Sequence, residues 1–260
     1  MTTLKRFLLT TAEDAGEVLM KYFHRKHRIE VKKGEGIVTE ADKAAERLIL
    51  SRLSRNFPNS SIITEESGEY RRDDTLCWVI DPLDGTTNYA HGFPWFCVSI
   101  GLYEEGKPKA GVIYHPVLKE MFFTESGRGA FLNDRRIKVS RTRRLEDSLL
   151  STGFYYSRGK ALGHQVEIFR RLNQTARGVR RPGSAALDLA YVACGRFDGF
   201  WERGLSPWDV AAGFLMVEEA GGKVSDYRGQ PTDLHAREVV ASNRLVHAPM
   251  LKIVRALRRV

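Results

Sequence analysis

The chain of 260 residues contains only three cysteines, Cys77, Cys97 and Cys194, and no Cys-x-x-Cys pair. A disulfide-rich framework is therefore excluded, and a thiolate zinc site is not expected. The spacing predicts buried free thiols, which suit a reducing compartment.

Long apolar runs are also absent. No segment reaches the roughly 18 apolar residues that a membrane-spanning helix requires. The apolar run near the N-terminus is only Phe7–Leu9, and Glu13 and Asp14 follow it closely. This pattern is typical of an amphipathic helix and not of a signal peptide. We therefore expect a cytoplasmic protein that does not contact membranes.

Basic residues outnumber acidic ones, 41 to 32, so the formal net charge is +9. A positive field favours anionic ligands, either phosphates or nucleic acids. No basic cluster is interleaved with aromatic residues, as in a platform for single-stranded nucleic acid. A solvated basic surface and the steering of a phosphorylated substrate are both compatible with this charge.

Apolar spacing predicts two helices followed by mixed layers. Positions 4–23 repeat with helical period, and a second helix is predicted to begin at Thr39, with Asp42 in a capping box and Pro58 just beyond its end. Residues 96–137 resemble strands joined by Gly-, Pro- and Asn-bearing turns, which predicts an antiparallel meander. Strand and helix signals then alternate, so the predicted fold class is α/β (α+β).

A candidate boundary lies near residues 138–147, where charge is dense and apolar residues are scarce. We predict an N-terminal α+β half, residues 1–140, which carries the main metal-binding motifs. A C-terminal α/β half, residues 141–260, is predicted to complete the active site of one compact catalytic unit.

Carboxylates recur where strands or helices begin and end. The prominent ones are Asp42, Glu65, Asp81, Asp84 and Asp209. Oxygen ligands suit hard cations such as magnesium. Each acid also has an ordinary structural interpretation. Asp-Pro-x-Asp-Gly is a common turn sequence, while Asp42 and Asp209 stand where an acid caps a helix.

The spacing of Asp81 and Asp84 excludes two related motifs. An EF-hand loop needs an acid at its third position, which is Leu83 here. Aspartyl phosphatases place one residue between their two acids, which puts both on the same face of a strand. Two intervening residues predict a chain reversal that brings the acids together, and they do not suggest an Asp nucleophile.

The residues after these acids suit a phosphate. Gly85 allows close approach of the backbone, and Thr86 and Thr87 follow it with amides that a starting helix leaves free. Acids for a metal ion beside amides for phosphate are typical of a metal-assisted phosphatase.

Five motifs resemble the inositol monophosphatase family in order and spacing. They are GIVTEADKAAE (36–46), IITEES (62–67), WVIDPLDGTTNYAHGFP (78–94), RRPGSAALDLAYVACGRFDGFWERG (180–204) and WDVAAGFLMVEEAGG (208–222). The resemblance spans nearly the whole chain. It implies a layered αβαβα sandwich, usually a homodimer, that hydrolyses sugar or polyol phosphates with magnesium and is sensitive to lithium.

The resemblance also implies residue roles. The ligands of a first metal ion would be Glu65, Asp81 and the carbonyl of Leu83, and those of a second would be Asp81, Asp84 and Asp209. Glu65 and Thr86 would orient the attacking water, and Asp42 would polarise Thr86. The substrate would lie against Asp84, Gly85, Thr86, Arg180, Gly183, Ser184, Ala185, Glu202 and Asp209, with the Gly85 and Thr86 amides on the phosphate.

The predicted reaction converts inositol 1-phosphate to inositol and phosphate by metal-activated water, with two Mg²⁺ and a third held loosely. Alternative substrates are fructose 1,6-bisphosphate, histidinol phosphate and a 3′-phosphonucleotide. Glu202 favours a small polyol, because it would accept hydrogen bonds from ring hydroxyls and repel a second phosphate. An alternative of another class is a protein that binds RNA or the transcription machinery, which the charge permits and no motif demands.

One departure concerns Gly36 and Ile37, where many family members have an acidic or polar residue. Because of this departure, the sequence does not decide how the loop covers the metal site or whether lithium inhibits the protein.

Overall fold

The computed structural model describes residues 2–23, 25, 29–32, 36–154 and 160–257. Its helices are α1 (Thr3–Phe23), α2 (Glu40–Asn56), α3 (Thr86–Ala90), α4 (Lys160–Thr175), α5 (Ala185–Ala193), α6 (Pro207–Glu219) and α7 (His247–Leu257). A single 3-10 turn covers Leu145–Asp147 in these ranges.

The strands of the first half are β1 (Ile29–Lys32), β2 (Gly36–Thr39), β3 (Ser60–Thr64), β4 (Gly68–Tyr70), β5 (Asp73–Asp84), β6 (Cys97–Glu104), β7 (Lys107–His115), β8 (Glu120–Glu125), β9 (Gly129–Leu132) and β10 (Arg135–Arg136). Those of the second half are β11 (Leu149–Thr152), β12 (Gly178–Arg180), β13 (Gly199–Arg203), β14 (Lys223–Ser225) and β15 (Glu238–Ser242).

Both N-terminal helices are confirmed. In α1 the buried positions recur at helical spacing, including Leu8, Ala12, Ala15 and Leu19. The capping box predicted at the start of α2 is present, with Thr39 as its N-cap. The two helices pack on each other and on one face of the larger sheet, where they enclose one hydrophobic core.

The larger sheet has eight strands in the order β10-β9-β8-β7-β6-β5-β3-β4. Neighbours from β5 to β10 are antiparallel and consecutive in the chain, so the predicted meander is confirmed. Only the β3–β5 pair is parallel among the described strands of this sheet. The long strand β5 is therefore interior, and its C-terminal end carries the two acids of the DPLD sequence.

A second sheet of five strands has the order β12-β11-β13-β15-β14. Helices α5 and α6 lie between the two sheets, and their apolar residues form a core with Phe122 of one sheet and Phe200 of the other. Helices α4 and α7 cover the outer face of the second sheet. The five layers confirm the predicted αβαβα sandwich.

The change from one sheet to the other falls near the candidate boundary. The larger sheet ends at Arg136 and the smaller one begins at Leu149. We keep the division into residues 1–140 and 141–260 as a proposal, since α5 and α6 bridge the two sheets.

None of the three cysteines forms a disulfide, but only Cys97 is fully buried. Cys77 and Cys194 are partly exposed, so the prediction of buried thiols is wrong in degree for these two. Within the described ranges, no helix combines the length and apolarity needed to cross a membrane.

Candidate active site

A cavity of about 290 Å³ opens where the C-terminal end of β5 meets the N-termini of α5 and α6. All the predicted site residues except Asp42 and Arg180 line it: Glu65, Asp81, Leu83, Asp84, Gly85, Thr86, Gly183, Ser184, Ala185, Glu202 and Asp209. Residues from five separate stretches of chain therefore meet in one place.

A β-bulge, and not a chain reversal, brings the two acids of DPLD together. Asp81 pairs with Ser99 and Asp84 with Cys97, so β5 advances three residues while β6 advances two. The extra residue changes the alternation of side chains, so acids three apart reach the same cavity. The predicted chain reversal is wrong, because β5 keeps its pairing with β6 through Asp84.

Three carboxylates converge in this cavity. One oxygen each of Asp81, Asp84 and Asp209 lies within 4.8 Å of the others. Burial, followed by repulsion from Glu65, Asp84 and Asp209, raises the pKa of Asp81 well above its ordinary value. The group thus has the donor chemistry and the excess negative charge that a hard divalent cation would neutralise. Glu65 lines the same cavity, although its oxygens are outside this group of three.

Asp84 is held in place by the start of α5. Its Oδ2 accepts hydrogen bonds from the Ser184 hydroxyl and the Ala186 amide, each at 2.7 Å. Burial raises the pKa of Asp84 to about 6, and these donors oppose that rise. Because Ser184 is also the N-cap of α5, with its Oγ accepting from the Leu187 amide at 3.3 Å, one hydroxyl joins the helix start to the acid.

Asp209 occupies the position predicted for it in the first turn of α6. Pro207 begins the helix, and Asp209 Oδ2 accepts a hydrogen bond from the Ser206 amide at 2.7 Å. Burial, and then Asp84, raises the pKa of Asp209 well above its ordinary value. The helix start therefore fixes the orientation of a carboxylate that also faces the cavity.

Asp42 lies behind the cavity and reaches it through Thr86. Its Oδ2 accepts from the Thr39 amide at 2.9 Å, and its Oδ1 is 3.2 Å from the Thr86 hydroxyl. The same hydroxyl is 3.0 Å from the carbonyl oxygen of Leu83. One hydroxyl proton is shared between these two acceptors, which leaves the lone pairs of Thr86 Oγ1 to accept a further hydrogen bond. Burial raises the pKa of Asp42 to about 6.

Gly85 makes the turn between β5 and α3 possible. Its φ of 98° lies in the left-handed region, and a Cβ there would stand 2.8 Å from the carbonyl oxygen of Trp95. A side chain is therefore excluded by both conformation and space. The amides that follow begin α3, where a helix leaves its first N–H groups without intrahelical acceptors.

The opposite wall of the cavity is formed by the start of α5 and by β13. Gly183, Ser184 and Ala185 line it, and Glu202 faces them from β13. Burial raises the pKa of Glu202 to about 8, although Arg181 opposes that rise. A carboxyl group that is readily protonated here can both donate and accept hydrogen bonds.

The structure does not bring Arg180 to the cavity. Its side chain is exposed, and its guanidinium donates to the carbonyl of Val179 at 3.1 Å. The next residue, Arg181, lines the cavity instead. Neighbouring residues of an extended chain point to opposite sides, which is why a shift of one position matters here.

Sequence reasoning missed Asp188, which is buried and lines the cavity from the first turn of α5. A signal was present, because Asp188 is the only charged residue of α5, Ala185–Ala193. An acid in an otherwise apolar helix usually has a specific reason to be buried.

The fold and the cavity define a class of protein, a layered α/β protein with a buried acidic site able to hold divalent metal ions. A family model described as the inositol monophosphatase family matches residues 1–259. The chain belongs to the inositol monophosphatase family, which makes it a phosphoric monoester hydrolase. The family predicted from the motifs is thereby confirmed.

Three relatives illustrate the match. An inositol-1-monophosphatase of Synechocystis sp. is 46% identical over 93% of this chain and 85% of its own length. A protein of Pseudomonas aeruginosa named Nus factor SuhB is 44% identical over 94% of this chain and 92% of its own length. The crystal structure of extragenic suppressor protein suhB from Bartonella henselae has a TM-score of 0.93 at 40% identity, covering 97% of this chain and 98% of that one.

Proposed function

We propose that the protein hydrolyses inositol 1-phosphate to inositol and phosphate with divalent magnesium. The observation that carries this proposal is the convergence of Asp81, Asp84 and Asp209 within 4.8 Å, in a cavity that Glu202 also lines. The acidic group supplies a place for metal ions, and the facing wall supplies a place for the alcohol part of the ester.

The proposal includes two magnesium ions, and the oxygen donors of the cavity support it. The donors are all oxygens, which is the ligand set that magnesium prefers. Burial and mutual repulsion raise the pKa values of Asp81 and Asp209, and a bound cation would relieve that repulsion. Glu65, Asp81 and the Leu83 carbonyl would hold one ion, and Asp81, Asp84 and Asp209 the other. The family resemblance adds a third, loosely held ion.

Bound divalent cations supply positive charge near the entering and leaving oxygens of the ester and lower the pKa of water. The chain's own part is to place that water. Thr86 Oγ1 has its proton directed to Asp42 and Leu83, so it accepts a hydrogen bond from the water. Glu65 lines the same cavity and orients the other side of the water. The amides of Gly85 and Thr86 bind the phosphate oxygens.

Glu202 and the start of α5 recognise the polyol. A site that bonds hydroxyls discriminates against analogues that lack them, because its buried polar groups are then left without partners. When Glu202 is ionised, its negative charge also disfavours a second phosphate, which argues against fructose 1,6-bisphosphate. Asp84 and Asp209 border the same space. Arg180, which is outside the cavity lining, is retained only as a proposed contact with a larger substrate.

The test is hydrolysis of a panel of phosphate esters with magnesium and with a chelator. Inositol 1-phosphate is expected to give the highest kcat/KM, followed by other small monoesters, and all activity should disappear with the chelator. A preference for fructose 1,6-bisphosphate, histidinol phosphate or a 3′-phosphonucleotide would replace the proposed substrate. Activity that survives the chelator would remove the metal site from the proposal.

The family resemblance also supports a homodimer, a cytoplasmic location and inhibition by lithium. Light scattering on the purified protein would test the dimer. Fractionation of cells that express the tagged chain would test the location.

A second candidate function is binding to RNA or to the transcription machinery. Two observations favour it: a 44% identical relative is named Nus factor SuhB, and residues 135–144 hold six exposed basic side chains and no acidic one. Contacts between basic side chains and the phosphates of a nucleic acid weaken steeply as the salt concentration rises. Fluorescence anisotropy with labelled RNA should show salt-sensitive binding that falls in Arg141→Glu and persists in Arg170→Glu, an exposed control paired with Glu167. Equal binding by both variants would show that residues 135–144 do not bind the RNA.

A further inference from the structure

Asp188 is a buried acid with a vacant hydrogen-bonding position. Only 1% of its surface is exposed to solvent. It lies in the first turn of α5, the helix whose N-cap is Ser184. Within the part of the chain that the structure describes, Asp188 Oδ1 has no hydrogen-bond partner. A buried polar atom that lacks a partner lowers the stability of the fold, so a hydrogen-bond donor from outside the chain would stabilise it.

Asp188 lies on the inner wall of the active-site cavity, beside Glu202 and apart from the group formed by Asp81, Asp84 and Asp209. Burial, and then the neighbouring charges of Glu202 and Asp84, raises the pKa of Asp188 well above its ordinary value, while Arg181 opposes this rise. Arg181 has the same effect on Glu202. Two carboxyl groups and one guanidinium therefore share this part of the cavity.

The two carboxyl groups come from elements that pack on each other. Asp188 stands on α5 and Glu202 on β13, and these elements are in contact. Glu202 rests against Gly153, where a Cβ would be 2.3 Å from each carboxylate oxygen. This wall is thus formed by two packed elements, and each contributes a carboxyl residue, Asp188 or Glu202, to the lining of the cavity.

We propose that Asp188 is a specificity-determining residue that accepts a hydrogen bond from a hydroxyl of the substrate's polyol part, next to the hydroxyl that Glu202 binds. This inference rests on the proposed phosphatase function and deepens it. The substrate class is a phosphate monoester whose alcohol carries at least two further hydroxyls, so that both carboxyl groups find partners.

The experiment compares wild type, Asp188→Ala and Asp188→Asn on inositol 1-phosphate and on p-nitrophenyl phosphate, which has no hydroxyls. Asp188→Ala is expected to lower kcat/KM for inositol 1-phosphate roughly 10-fold to 100-fold, mostly through KM, and to leave p-nitrophenyl phosphate within about twofold. Asp188→Asn keeps an acceptor oxygen and should recover much of the loss. The melting temperature of Asp188→Ala should stay the same or rise, because no native hydrogen bond of Oδ1 is lost.

Asp198 provides the matched control. It is also a buried acid, but its oxygens accept hydrogen bonds from the Ser140 hydroxyl and from the Leu149 amide at 2.7 Å. Asp198→Ala should lower the melting temperature and should not change the ratio between the two substrates. An equal loss on both substrates in Asp188→Ala, or a melting temperature that falls as in Asp198→Ala, would overturn the proposed role.

A measurement of substrate binding without hydrolysis tests the role of Asp188 separately from the proposed phosphatase function. Calorimetry with inositol 1-phosphate and calcium, a hard cation with the same oxygen preference, should show about tenfold or greater weakening in Asp188→Ala. If wild type binds in this way but hydrolyses neither ester with magnesium, the proposed function fails and the role of Asp188 stands. If wild type hydrolyses the ester and the variant matches it in binding and turnover, or if wild type does not bind, the role of Asp188 fails.

Discussion

Replacing Glu202 with Gln should change how the stability of the metal-free protein depends on pH. The folded protein raises the pKa of Glu202 from 4.5 to about 8 through burial. Below pH 4.5 the group is protonated in both the folded and the unfolded chain and has no effect on pH dependence. Between these values the unfolded chain ionises while the folded chain keeps the proton, so stability falls as pH rises.

The size of the effect follows from the two pKa values. Each pH unit in this window costs wild type about 1.4 kcal/mol of unfolding free energy, and the full window roughly 4–5 kcal/mol. Gln cannot ionise, so Glu202→Gln avoids this loss. The difference in stability between the variant and wild type should therefore grow in favour of the variant from pH 5 to pH 8. Other titrating acids are common to both proteins and largely cancel in that difference.

Urea unfolding followed by tryptophan fluorescence, in chelator and at several pH values, measures the difference. Glu120→Gln is a control of opposite sign. Burial acts to raise the pKa of Glu120, but hydrogen bonds from Arg196 and Tyr191 outweigh it and lower that pKa. Its contribution is present above pH 4.5 and is lost as pH falls through the folded pKa. A Glu202→Gln difference that stays constant from pH 5 to pH 8 would refute the reasoning.

Three further predictions concern activity. Asp81→Asn and Asp209→Asn should each lower magnesium-dependent turnover by more than about 100-fold. Both variants should leave the metal-free protein at least as stable in urea, because repulsion between the carboxylates is relieved. Unchanged hydrolysis in either variant would remove the metal-site interpretation. Lithium at millimolar concentration should inhibit hydrolysis when magnesium is limiting, and full activity at tenfold higher lithium would count against it. Gly153→Ala should fold, because the three atoms nearest to the added Cβ all belong to the movable end of the Glu202 side chain. It should lose inositol 1-phosphate turnover more than p-nitrophenyl phosphate turnover, and an equal loss on both would mean that Glu202 does not shape substrate choice.

Local patterns account for what the sequence predicted well. The periodicity of α1, the Thr39–Asp42 capping box and the strand–turn alternation of β6 to β10 depend on neighbours in the chain. The hairpin of β1 and β2 and the C-terminal helix α7 were not predicted. Each of the two strands has only four residues, which is too few for a clear alternation, whereas α7 is amphipathic and its apolar spacing could have indicated a helix. Long motifs, and not periodicity, supplied the layer order and the residue roles.

What escaped prediction depends on contacts between distant segments. The meeting of Asp81 with Asp84 results from an extra residue in β5 relative to its partner β6, which spacing in one strand cannot show. The burial of Asp188 beside Glu202 requires α5 to pack against β13. The place of Arg181 in the cavity, one residue beyond the arginine that the motif indicated, depends equally on how the chain leaves β12.

Asp42 and Asp209 show that capping a helix and serving a site are compatible roles. Each carboxylate accepts a hydrogen bond from the amide of its own N-cap residue, at 2.9 Å from Thr39 and 2.7 Å from Ser206. Asp42 uses its other oxygen for Thr86, and an oxygen of Asp209 lies within 4.8 Å of Asp81 and Asp84. A helix N-terminus favours negative charge, which offsets part of the cost of burying these acids. The cap therefore holds each acid in a fixed orientation at the site, so the sequence signal for a helix start is also a signal for where a buried carboxylate can be kept.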